Sequence, residues 1–80
     1  MMLSADGLEY ALIGVGRRCG QPNVLVYNYD LCVGEFVKRG MTPDEAIEWM
    51  EFNVVGAWVG DETPMFVTEC DEEGLKEWMN

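Results

Sequence analysis

The chain has 80 residues and carries 15 acidic against 5 basic side chains, a net charge of −10. A field of that sign repels nucleic acid and anionic membranes and attracts basic protein surfaces, so direct binding of DNA or RNA is the first function class excluded. No histidine is present, which removes the commonest general base, the commonest metal ligand and every Ser-His or Cys-His nucleophile pair.

A chain of this size forms one small domain over residues 1–80, burying only about 60% of its unfolded surface, so its stability margin is thin. Nine aromatic residues supply large pieces to pack. Cys19, Cys32 and Cys70 are widely spaced and odd in number, fitting neither a disulfide framework nor a zinc site. The start, MMLSADGLEY, lacks the basic residues and long apolar run of a signal peptide. No apolar segment approaches the roughly 20 residues of a membrane span. The expectation is a reduced, cytoplasmic protein without cofactor or metal.

In chain order, residues 1–6 read as a loose lead-in. From Gly7 to Cys19, Leu8, Ala11, Leu12 and Val15 recur at helical spacing and predict a helix, although Gly14 and Gly16 each weaken it by about 1 kcal/mol. Gly20-Gln21-Pro22 ends it. Asn23–Tyr29 opens on the β-branched run NVLVY, a strand. Asp30 is the expected cap of a helix over Leu31–Arg39, with a stripe of Cys32, Val33, Phe36 and Val37 and with Gly40 as its left-handed stop. Thr42 and Glu45 then have capping-box spacing, with Pro43 at the first helical position. They open the core helix, Pro43–Val59, closed by Gly60. Its main face is Ala46, Ile47, Met50, Val54, Ala57 and Trp58, while Phe52, Val55 and Val59 make its second half apolar on the other side too. Met65–Glu69 is the second strand, and Asp71 caps a last helix, Glu72–Met79. The predicted fold is α+β in the order α-β-α-α-β-α, helices packed on a two-stranded sheet around the 43–59 helix.

Chemistry-bearing motifs are few. Gly14-Val15-Gly16-Arg17-Arg18-Cys19-Gly20 resembles a phosphate cradle, but its glycine spacing misses the dinucleotide fingerprint by one residue and no G-K-[ST] follows. Two arginines before Cys19 favour its thiolate. Glu45, Glu48 and Glu51 form a carboxylate row, lacking the Glu-x-x-His of di-iron bundles and the spacing of a calcium loop. A row at i, i+3 and i+4 places carboxylates about 5–6 Å apart, comparable with phosphates on a strand. The candidate protein-binding residues are therefore Asp44, Glu48 and Glu51, a second cluster of Glu69, Asp71, Glu72, Glu73 and Glu77, and the near-terminal Trp78 as an aromatic anchor.

Two stretches, ALIGVGRRCGQPNVLVYNYDLC and EWMEFNVVGAWVGDETPMFV, joined by GMTPDEAI, resemble a group of short proteins encoded by tailed bacteriophages. The likeness omits the lead-in and the acidic tail, and it brings no assigned activity or site. It implies a setting in the cytoplasm of an infected bacterium, where small acidic phage proteins include anti-CRISPR proteins and nucleic-acid mimics. The leading expectation is a non-enzymatic inhibitor of a host defence protein with a basic groove, such as a CRISPR effector. The alternative is a structural or regulatory phage protein that assembles with itself, as a homodimer, or with another phage protein. A small enzyme working through Cys19 or carboxylates is the third.

Overall fold

A computed structural model describes residues 2–79. Met1 of the expected lead-in, and Asn80 at the other end of the domain read over 1–80, lie outside the described residues. The elements run in the order of a 3₁₀ turn (Glu9–Ala11), β1 (Leu12–Gly16), β2 (Val24–Asn28), α1 (Tyr29–Lys38), α2 (Pro43–Trp49), a π-helical segment (Met50–Val55), β3 (Met65–Val67) and α3 (Glu72–Met79). The fold is α+β, with a three-stranded sheet in the order β1-β2-β3.

The largest correction falls at the beginning. The predicted 7–19 helix is a 3₁₀ turn followed by a strand, so the order α-β-α-α-β-α and the two-stranded sheet both give way. Leu8 and Ala11 are buried as the i, i+3 spacing requires, but one short turn is enough to bury them. Beyond Ala11 the chain holds β-branched Ile13 and Val15 between glycines, which suit a pleated surface better than a helix. It pairs antiparallel with β2, with Val15 opposite Leu25 and Gly16 opposite Val24, and a bulge lies between Leu12 and Gly14. Gly16 lies close to its neighbour strand: a Cβ there would stand 3.0 Å from Val26 Cγ2 and crowd that side chain.

β3 joins the other edge of β2 in parallel, Tyr27 beside Phe66 and Asn28 beside Val67. Parallel neighbours need a crossover connection, and α1, α2 and the π segment form it. The Tyr27 and Phe66 rings stack at 5.6 Å. Leu8, Ala11, Tyr27, Cys32, Phe36, Ala46 and Met50 make one core between sheet and helices.

Asn28, not Asp30, caps α1: its side chain accepts the Leu31 N–H at 3.0 Å. The helix therefore starts two residues earlier than expected, and Asp30 sits in its first turn, where the dipole favours a carboxylate. At the far end Met41 N–H donates to Phe36 O (3.1 Å) and Gly40 N–H to Val37 O (3.0 Å). With Gly40 at φ 111°, this is a Schellman stop. One residue later the capping box is complete: Glu45 N–H donates to Thr42 Oγ1 at 3.2 Å and Thr42 N–H to Glu45 Oε1 at 2.9 Å.

The core helix does not reach Val59. After Trp49 it widens to π geometry and ends at Gly56, whose N–H donates to Glu51 O, five residues back, at 3.1 Å. Widening the turn breaks the 3.6-residue stripe. Ala46 and Met50 are fully buried and Val54 packs on the core, but Ile47 is 45% and Trp58 71% exposed, and Ala57 is exposed as well. Gly60, expected as the stop of that helix, has a positive φ (115°) but lies in the 60–63 turn and not at a helix end. The second strand stops at Val67. The last helix keeps its predicted bounds, with Asp71 Oδ1 accepting the Gly74 N–H at 2.8 Å. No residue of α3 is buried.

Candidate interaction surface

α1, the α2–π helix, β3 and α3 converge on a groove of about 550 Å³. Its floor and walls include Ile47, Val55, Phe66 and Trp78, and its carboxylates are Asp30 and Glu51. No lysine or arginine lines it. Capping places Asp30 in the first turn of α1, and one helical turn puts Ile47 beside Glu51. Tyr29, the first residue of α1, donates its hydroxyl to Glu51 Oε2 at 2.7 Å and so fixes the carboxylate at the groove wall. Desolvation, then that hydrogen bond, holds the Tyr29 hydroxyl up to about 12.

The structure thus brings two of the sequence candidates, Glu51 and Trp78, into one groove although they are far apart in the chain. Trp78 is 72% exposed, so a large indole face is open to a partner. Glu48 lines a different depression of about 490 Å³, with Met41, Glu45, Trp49, Phe52 and Asn53. The sequence placed Asp44, Glu48 and Glu51 in one polar sector opposite Ile47. Instead Glu51 shares its groove with Ile47, while Glu48 faces the other. The spacing itself is the physical reason: Ile47 and Glu51 stand one helical turn apart, at i and i+4, so they are neighbours and not opposites.

Asp44 and Glu48 are exposed. Glu45 is committed to the capping box, and the Thr42 backbone N–H, then the Thr42 hydroxyl, hold its carboxyl below the usual range. In the second cluster Glu69 accepts from Asn28 Nδ2 at 3.3 Å, and Asp71 is the α3 cap. Glu72, Glu73 and Glu77 are exposed. Glu72 and Glu73 lie in the first turn of α3, where negative charge is favoured. Tyr29, Asp30, Ile47, Val55, Phe66 and Thr68 also line the groove and were not among the sequence's binding candidates. The i, i+4 pair Ile47/Glu51 was the available signal for one of them.

Little positive charge offsets these carboxylates. Arg39 is occupied by Glu35 at 2.8 Å, by the Gly7 carbonyl at 3.0 Å and by the Phe36 ring. The bond from Arg39 is the main reason the Glu35 carboxyl is held low. Among the described residues no group of three or more Cys, Asp and Glu side chains is arranged to hold a metal ion, and no helix is long and apolar enough to cross a membrane. Cys32 is fully buried and its thiol is pushed up to about 11 by burial, so it is a packing group without thiolate character.

No family model, no curated protein and no solved structure matches the chain.

Proposed function

We propose that this protein is a phage-encoded, non-enzymatic inhibitor that docks a basic surface of a host defence protein, such as a CRISPR effector, in the bacterial cytoplasm. The observation that carries the reading is the groove that Asp30, Glu51 and the exposed indole of Trp78 line together, with no lysine or arginine among the described residues that line it. Its carboxylates steer a lysine- or arginine-rich surface toward the site, and the aromatic and aliphatic floor retains what arrives. Glu69, Asp71, Glu72, Glu73 and Glu77 extend the negative field along α3, and Asp44 and Glu48 extend it along α2. Steering of this kind weakens as salt rises, because the Debye length shrinks to about 8 Å at physiological ionic strength.

The direct assay is phage escape in bacteria carrying a nucleic-acid-targeting defence system, followed by binding to the purified effector. The wild-type chain restores plaquing and binds the effector. Asp30→Asn with Glu51→Gln, which keeps an acceptor for the Tyr29 hydroxyl, reduces binding by about tenfold or more, chiefly through slower association. A double variant that binds and inhibits as well as wild type would refute the acidic-groove mechanism.

A second reading, self-assembly or assembly with another phage protein, is favoured by a separate observation. Phe52, Trp58 and Val59 are 75%, 71% and 64% exposed, large apolar side chains that this small chain leaves uncovered. Light scattering tests the self-assembly part of this reading: a strict monomer at micromolar concentration removes the homodimer.

A further inference from the structure

The basic hairpin end beyond β1 and the loop before β3 enclose a third cleft, of about 290 Å³, which shares no lining residue with the acidic grooves. Its chemistry is the reverse of theirs. Arg17 and Arg18 line it together with Pro22, Trp58, Asp61 and Met65. Both arginines are exposed, and neither has an ion-pair partner among the described residues. In a chain with only 5 basic side chains, two unpaired guanidinium groups beside one open indole are a concentrated anion- and ring-binding set.

We propose that this cleft binds a nucleoside monophosphate. The base stacks on Trp58, and the phosphate is held by the forked donors of Arg17 and Arg18. Asp61 accepts from a sugar hydroxyl, the role that acidic side chains play toward ribose in dinucleotide sites. Each part narrows the ligand class. Without a ring, the exposed Trp58 has nothing to stack against. Without a hydroxyl donor, Asp61 repels the anion that the arginines attract. The volume lies at the small end of ligand pockets, which suits a mononucleotide better than a dinucleotide. A nucleic-acid strand would run beyond the cleft over the surface of a chain of net charge −10, whereas a monophosphate meets mainly the local field, since distant carboxylates are screened beyond about 8 Å.

The test is an NMR titration of the full chain with AMP, with adenosine and inorganic phosphate as separate arms. AMP saturates with Kd below about 1 mM, and both arms bind at least about tenfold more weakly. The shifted amides fall in residues 16–24 and 58–65. Trp58→Ala, and Arg17→Ala with Arg18→Ala, each weaken AMP by about tenfold or more, while the amide spectrum elsewhere shows the fold retained. The proposal is overturned if AMP gives no saturable shifts, if they map outside the cleft, or if inorganic phosphate binds as well as AMP. Equal AMP affinity in the variants, or tighter binding of a single-stranded oligonucleotide than of AMP, also overturns it.

Discussion

The Tyr29 hydroxyl donates to Glu51 Oε2 at 2.7 Å, tying the first residue of α1 to the π segment that follows α2. Burial and this bond hold the phenol up to about 12, and burial holds the Cys32 thiol up to about 11. Both groups keep their protons longer in the folded chain than in the unfolded one, where they titrate near 10 and 9. Stability is therefore fully present below those lower values and is lost as pH rises through about 9 to 12. Urea midpoints across that range should fall. Tyr29→Phe should cost about 1 kcal/mol near neutrality and make the fall above pH 10 shallower. Parallel curves for wild type and variant would mean that Tyr29 contributes nothing to the alkaline loss.

A second hydrogen bond anchors the N-terminal segment. Tyr27, 1% exposed, accepts the Ala5 N–H on its hydroxyl oxygen at 2.9 Å. Tyr27→Phe preserves the ring, its stacking on Phe66 and the packing volume, and removes only that acceptor. The partly buried Ala5 N–H is then orphaned, at a cost of about 1–2 kcal/mol. Amide exchange at Ala5 should accelerate more than exchange in β2, because the segment detaches locally before the sheet opens.

The parts of the fold legible in the sequence are those that local chemistry decides. The Thr42–Glu45 box, Pro43, Gly40, the NVLVY strand and the α3 helix all follow from side chains acting on backbone within a few residues. Two features depend on distant partners and were not legible. Residues 12–16 continue the helical spacing of Leu8 and Ala11 yet carry β-branched residues and glycines, and pairing with β2 decides between the two signals. The π turn after Trp49 follows no local signal in MEFNVV, yet it ends the helix at Gly56 and leaves Ala57 and Trp58 exposed. So Glu51 and Trp78 were readable as candidates one by one. Their meeting, and the presence of Asp30 beside them, required the parallel crossover, whereas Ile47 already stood one helical turn from Glu51 in the sequence.

The cysteines give a simple check on the packing. Cys19 and Cys70 are exposed and Cys32 is buried. In the native protein, Cys19 and Cys70 should react promptly with a thiol reagent, and Cys32 only when the chain opens. Mass spectrometry after short labelling identifies the sites. Adding denaturant should bring Cys32 up with the same midpoint as loss of secondary structure, since it sits in the core with Phe36 and Met50. Prompt labelling of Cys32 without denaturant would contradict the packing of α1 on the sheet.

Gly56 separates the helix that the sequence predicts from the one that forms. In an uninterrupted helix to Val59, Gly56 would be an interior position, and Gly56→Ala would stabilise the protein by up to about 1 kcal/mol. In the structure Gly56 closes the π turn, and an added Cβ would stand 2.8 Å from Glu51 O and 3.2 Å from Phe52 O. Those are backbone atoms held by the turn itself, so no flexible side chain can yield to make room. Its φ of −76° is open to any residue, and the penalty is therefore steric crowding, of the order of 1–3 kcal/mol. The two geometries predict opposite signs for one methyl group. A lowered urea midpoint in Gly56→Ala supports the π ending, and the Glu51–Tyr29 bond should loosen with it, lowering the pH at which the Tyr29 phenol titrates. A raised midpoint would restore the continuous helix to Val59.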